Sequence, residues 1–111
     1  MATKYLCIAA SHEDLDTWAT VEAGIDDYSQ LAVRYTYYHY DGSKSLVGAV
    51  VDKEDTATLA GQLGVGIDGL AGVLADEYKD TYSFGASEVE AIFQDILEKI
   101  LDHGVKYHLK R

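Results

Sequence analysis

The chain has no proline, one cysteine and few cations: nine Lys and Arg stand against nineteen Asp and Glu among 111 residues, a formal net charge of −10 at pH 7. Each shortage excludes something. A lone cysteine closes no internal disulfide, so the fold needs an ordinary apolar core. Cys7 lies in the apolar run Tyr5-Leu-Cys-Ile-Ala-Ala10, with no His beside it, and reads as a buried, inert thiol. That run is far too short to cross a bilayer. No basic, apolar and small-residue leader pattern follows Met1, so the expected location is cytoplasmic, away from membranes.

The cations are missing in blocks. None lies between Lys4 and Arg34, a stretch holding Glu13, Asp14, Asp16, Glu22, Asp26 and Asp27. Between Lys53 and Lys106 only Lys79 and Lys99 face eleven acids. Binding to a phosphate backbone needs cations that displace condensed counterions, so direct nucleic-acid binding is not expected.

Signatures of chemistry are also missing. The four histidines, His12, His39, His103 and His108, have no metal-ligand spacing and no cysteine companions. There is no calcium-loop pattern and no G-x-S-x-G, H-E-x-x-H or Cys/His arrangement. Gly64-Val-Gly66-Ile-Asp-Gly69 spells G-x-G-x-x-G, but the residues before it have helical character. A dinucleotide fingerprint needs a strand there. The expectation is a chain with no catalytic, cofactor or metal residues.

What is present is an alternation of strand and helix signals. Lys4–Ala10 reads as a strand. Ser11-His-Glu-Asp14 reads as a capping box opening a helix from Glu13 to about Ala23, stopped by Gly24. Residues 31–40 and 43–51 flank Asp41-Gly42, the signal for a two-residue hairpin turn. That turn pairs Tyr37 with Leu46, Tyr35 with Gly48 and Val33 with Val50, and puts Leu31, Val33, Tyr35 and Tyr37 on one face. Asp52–Asp55 opens a second helix through Leu63, and residues 70–78 form a third. Ser87–Glu90 caps the strongest helix, where Val89, Ile92, Phe93, Ile96, Leu97, Ile100 and Leu101 recur at helical spacing before Gly104 ends it. Val105–Leu109 alternates as a last strand.

This order implies one α+β domain, a ferredoxin-like βαββ(αα)αβ unit with an antiparallel sheet and helices on one face. The main alternative is a three-stranded sheet under the same helices. The segment Leu59–Leu74 resembles a helix-turn-helix in its small, turn and core residues. Its second helix offers Asp68, Asp76 and Glu77 where a DNA reader carries cations and amides, so its expected role is packing.

Function is expected to lie in contact with other molecules. Acidic surfaces speed encounter with basic ones, and aromatics with polar tips favour interfaces. The expected function is therefore a non-enzymatic, acidic interaction module for a basic protein partner. Its narrower form is an inhibitor that imitates nucleic-acid charge. The partner-binding residues are Glu13, Asp14, Asp16, Glu22, Asp26, Asp27, Tyr38 and Tyr40. The alternative is a ligand-binding or catalytic ferredoxin-like homodimer.

Overall fold

The computed structural model describes residues 4–11, 18–78 and 86–110. Four strands come first: β1 (Lys4–Ala10), β2 (Trp18–Ile25), β3 (Leu31–Tyr38) and β4 (Lys44–Val51). Helices α1 (Lys53–Leu63), α2 (Leu70–Tyr78, entered through a 3-10 turn at Ile67–Gly69) and α3 (Ala86–Asp102) follow, and β5 (His108–Lys110) closes the sheet. All pairings are antiparallel and the spatial order is β1-β2-β3-β4-β5. The α+β class stands, with its antiparallel sheet. The ferredoxin-like order does not. Ser11 N–H donates to the Ala19 carbonyl at 2.9 Å, and Ala19 N–H donates to Ser11 Oγ at 2.7 Å. These bonds turn β1 straight into β2, whereas a ferredoxin-like unit crosses over between them.

The helix expected to reach Ala23 is therefore a strand from Trp18 onward, and Gly24 lies inside it. Ala19, Val21 and Ala23 are fully buried, while Trp18, Thr20 and Glu22 point the other way. That is a period of two, carried by the β-favouring Trp, Thr and Val. The proposed cap at Ser11–Asp14 falls mostly outside the described residues.

The β3–β4 register differs from expectation by one residue: Val33 faces Ala49, Tyr35 faces Val47 and Tyr37 faces Ser45. The turn is longer than two residues. His39 N–H donates to the Ser43 carbonyl at 2.8 Å, and Gly42 N–H donates to the His39 carbonyl at 3.0 Å. Gly42 at φ +89° takes the left-handed position of a three-residue loop. Asp41 fixes the exit by accepting from Ser43 N–H and hydroxyl at 2.9 and 2.6 Å, which also lowers its carboxyl pKa. The extra residue turns β4 over, so Ala49 and Val51 enter the core and Leu46 faces outward. The inward face of β3 is as expected.

The helices lie on one face. Val89, Ile92, Phe93, Ile96, Leu97 and Ile100 of α3 are buried over β1–β3, and α2 sets Leu70 and Leu74 on β1 and β2. Gly104, at φ +79°, ends α3 as expected, with Val105 N–H returning to the Ile100 carbonyl. The helix-turn-helix-shaped segment bends by 73° between its helices and buries Leu59, Ala60, Leu70 and Leu74, a packing role. Gly64–Gly69 follows α1, so no strand leads into the G-x-G-x-x-G run. Among the described residues no single helix is long and apolar enough to cross a membrane.

Candidate interaction surface

With the described helices on one side, the other face of the sheet has no helix over it among the described residues. The strand registers set its side chains in cross-strand rows. One row runs Tyr5, Gly24, Ala32, Val50 and His108. The next runs Cys7, Glu22, Arg34 and Gly48. Then come Ala10, Thr20, Thr36 and Leu46, and last Trp18, Tyr38 and Lys44.

These rows carry specific contacts. Trp18 and Tyr38 stack with ring centroids 3.8 Å apart and planes within 9°. Arg34 Nε donates to Glu22 Oε1 at 3.0 Å, and its guanidinium lies 3.8 Å from the centre of the Tyr5 ring. Cross-strand from Arg34 stands Gly48, where the expected pairing put Tyr35. Without a side chain there, a shallow groove of about 240 Å³ opens between Tyr5, Arg34, Leu46 and Val50. Ala32 and Thr36 are buried beneath their neighbours, while Leu46 is 44% exposed.

The surface is thus aromatic and nearly neutral at its centre, with Glu22 offset by Arg34. The interior of a protein interface has this character: depleted in charge and enriched in aromatics and arginine. Cys7 is exposed on this face rather than buried. Partial desolvation, then the Glu22 carboxylate, hold its thiol above the ordinary value, so it remains a poor nucleophile.

The residues singled out for partner binding divide into three groups. Tyr38 lies on the open face, and Tyr40, 83% exposed, sits at the hairpin tip beside it. Glu22 is on the same face, in mid-strand and ion-paired, not on a helix. Asp26 and Asp27 lie at the opposite end, where Asp26 Oδ1 accepts from Tyr28 N–H at 2.8 Å and from Gln30 N–H at 3.0 Å, shaping the β2–β3 turn. Asp27 is exposed. Glu13, Asp14 and Asp16 lie outside the described residues, in the segment joining Ser11 to Trp18.

Trp18, Tyr5 and Arg34 were not singled out by sequence reasoning. The signal was the alternation from Trp18 to Glu22, which a competing helical spacing obscured. The remaining described histidines make local bonds: His39 to Ser45 Oγ at 2.9 Å, His103 to the Lys99 carbonyl at 2.8 Å and His108 to Asp52 at 3.4 Å. No group of three His, Cys, Asp or Glu suited to a metal ion occurs among the described residues. Comparison with protein-family models, with curated proteins and with solved structures finds no match.

Proposed function

We propose that this chain is a non-enzymatic interaction module that docks on a basic protein, with the open face of the sheet as the centre of the contact. The observation that supports this reading most is the Trp18–Tyr38 stack beside Arg34 and Tyr5 on a face that none of the described helices covers. Large aromatics and arginine dominate binding energy when a partner excludes water from them. The acids act differently. A chain of net charge −10 attracts a basic partner from a distance and accelerates encounter, while its rim charges add little to the final affinity. In the narrower form of the proposal, the partner is an enzyme whose basic channel ordinarily holds nucleic acid, and the carboxylates stand in for phosphates.

Retention of lysate proteins on the tagged chain tests the reading. The expected result is a basic protein held at low salt and released steeply as salt rises. Reversing the charges of Glu13, Asp14 and Asp16 should abolish capture at moderate salt, and Tyr38→Ala should weaken it at every salt concentration. Capture indifferent to both changes overturns the reading. So does sedimentation as a dimer that shields Trp18 from an added quencher, because the open face would then be occupied by a second copy.

A further inference from the structure

β5 is only three residues long and pairs with Gly48, Ala49 and Val50. The outer edge of β4 from Lys44 to Val47 has no strand beside it among the described residues. His39 and Ser43 form a hydrogen-bonded pair, and such pairs alternate along an antiparallel ladder. The N–H and C=O groups of Lys44 and Leu46 consequently point away from β3, toward the open edge. An unpaired edge of this kind is a template for another strand.

A pocket adjoins that edge on the helix side. Because α3 packs over β1, β2 and β3, the inward face of β4 is only partly roofed. Tyr35 and Val47 form the floor of a pocket of about 200 Å³, Phe93 and Leu97 wall it, and Tyr107 and Leu109 close its end. Drug-sized ligands occupy roughly 300–1,000 Å³; this volume suits one apolar side chain. Leu109 at its rim is 51% exposed. Glu90 and Gln94 line the mouth, and Glu98 continues the same i, i+4, i+8 row. All three are exposed, which gives the pocket an acidic lip.

From these features we infer that β4 accepts an extended segment of the basic partner as a sixth strand along Lys44–Val47. This deepens the reading above and rests on it. Side chains alternate along a strand, so a residue opposite Val47 turns toward the pocket, while one opposite Leu46 lies over the outer face. The acidic lip selects a lysine or arginine two residues along from the apolar anchor, on the same face of the added strand, whereas Lys44 disfavours a cation on the outer face at the hairpin end. Main-chain hydrogen bonds supply affinity and the pocket supplies selectivity, the division found in strand addition generally.

The probe is a capped seven-residue peptide, Thr-Lys-Thr-Val-Thr-Lys-Thr, whose alternation puts the valine and both lysines on one face, with a scrambled peptide of the same composition beside it. Amide hydrogen exchange of the full chain is followed by NMR. The alternating peptide should slow exchange at Leu46 at least tenfold and the scrambled peptide should not. Glu90→Lys should weaken the effect about tenfold. Leu46→Pro should abolish the matching protection of the Lys44 amide, the other N–H on this edge, while leaving the β3–β4 ladder in place, because the lost N–H points outward. Unchanged exchange at Leu46 at millimolar peptide, or perturbation confined to Trp18 and Tyr38, overturns the inference. Reversal of Glu13, Asp14 and Asp16 should leave this peptide effect intact. Lysate capture without protection at Leu46 therefore sinks strand addition alone, and protection without capture sinks the broader reading alone.

Discussion

Thr56 accepts a hydrogen bond on its Oγ1 from the Leu31 N–H at 3.0 Å. The same hydroxyl donates to the Val51 carbonyl at 2.9 Å, and Leu31 and Val51 face each other at the end of the β3–β4 ladder. Thr56 is fully buried in the first turns of α1. One hydroxyl thus ties the helix to both strands it follows, and satisfies backbone groups that water does not reach.

Removing that hydroxyl should cost stability out of proportion to its size. Thr56→Val keeps the volume but leaves the Leu31 N–H without its partner, a loss of about 1–3 kcal/mol for a buried donor. Thr56→Ser keeps the bond and should cost less. Urea denaturation of the three proteins checks both the loss and its order.

The Trp18–Tyr38 stack should be measurable as a coupling. In a double-mutant cycle, Trp18→Ala together with Tyr38→Ala should cost about 0.5–1.5 kcal/mol less than the sum of the single changes, because each single change already removes the stack. Trp18 is the chain's only tryptophan, so its fluorescence also reports directly on the stack. Tyr38→Phe, which keeps the ring, should leave both readouts nearly unchanged.

Alkali should destabilise the fold through tyrosine. Burial first, then the Glu90 carboxylate and Tyr37, push the Tyr35 hydroxyl from 10.0 up to about 12. Burial and the Asp95 carboxylate, to which it donates, raise Tyr78 as well. The folded state holds these protons longer than the unfolded chain. The Tyr35 contribution is fully present below pH 10 and is lost as pH rises toward about 12, and that of Tyr78 persists further into alkali. Tyr35→Phe should flatten the fall in melting temperature across that range, as followed by circular dichroism.

Gly42 carries the hairpin loop at φ +89° with open space where a Cβ would sit. The cost of Gly42→Ala is therefore one of backbone conformation alone, about 1–2 kcal/mol. Gly42→Asn should cost less, since asparagine tolerates the left-handed region better. Thermal denaturation of the two variants separates them.

Several elements were legible in sequence because local physics decides them. The apolar stripe of α3 recurs at helical spacing, Gly104 supplies the left-handed stop, and β3 alternates strictly from Leu31 to Tyr37. The charge of −10 was legible too, and with it the expectation of a basic partner. The same holds for the turn between β3 and β4 as a position, since Asp-Gly marks it.

Tertiary structure decided what those local signals left degenerate. Between Trp18 and Ala23 helical and strand periods coexist, and only pairing with β1 and β3, which buries Ala19, Val21 and Ala23 together, chooses the strand. One extra loop residue before Gly42 flips β4, because side chains alternate with a period of two. Nothing in the residues themselves counts that loop. Once β4 is turned, Gly48 faces Arg34 and Leu46 faces outward, so the open face is a product of register. The order β1-β2-β3-β4-β5 follows from the short return between Ser11 and Ala19. Composition determined that this chain is acidic and has a core. Long-range hydrogen bonding determined which face of the sheet the described helices left open.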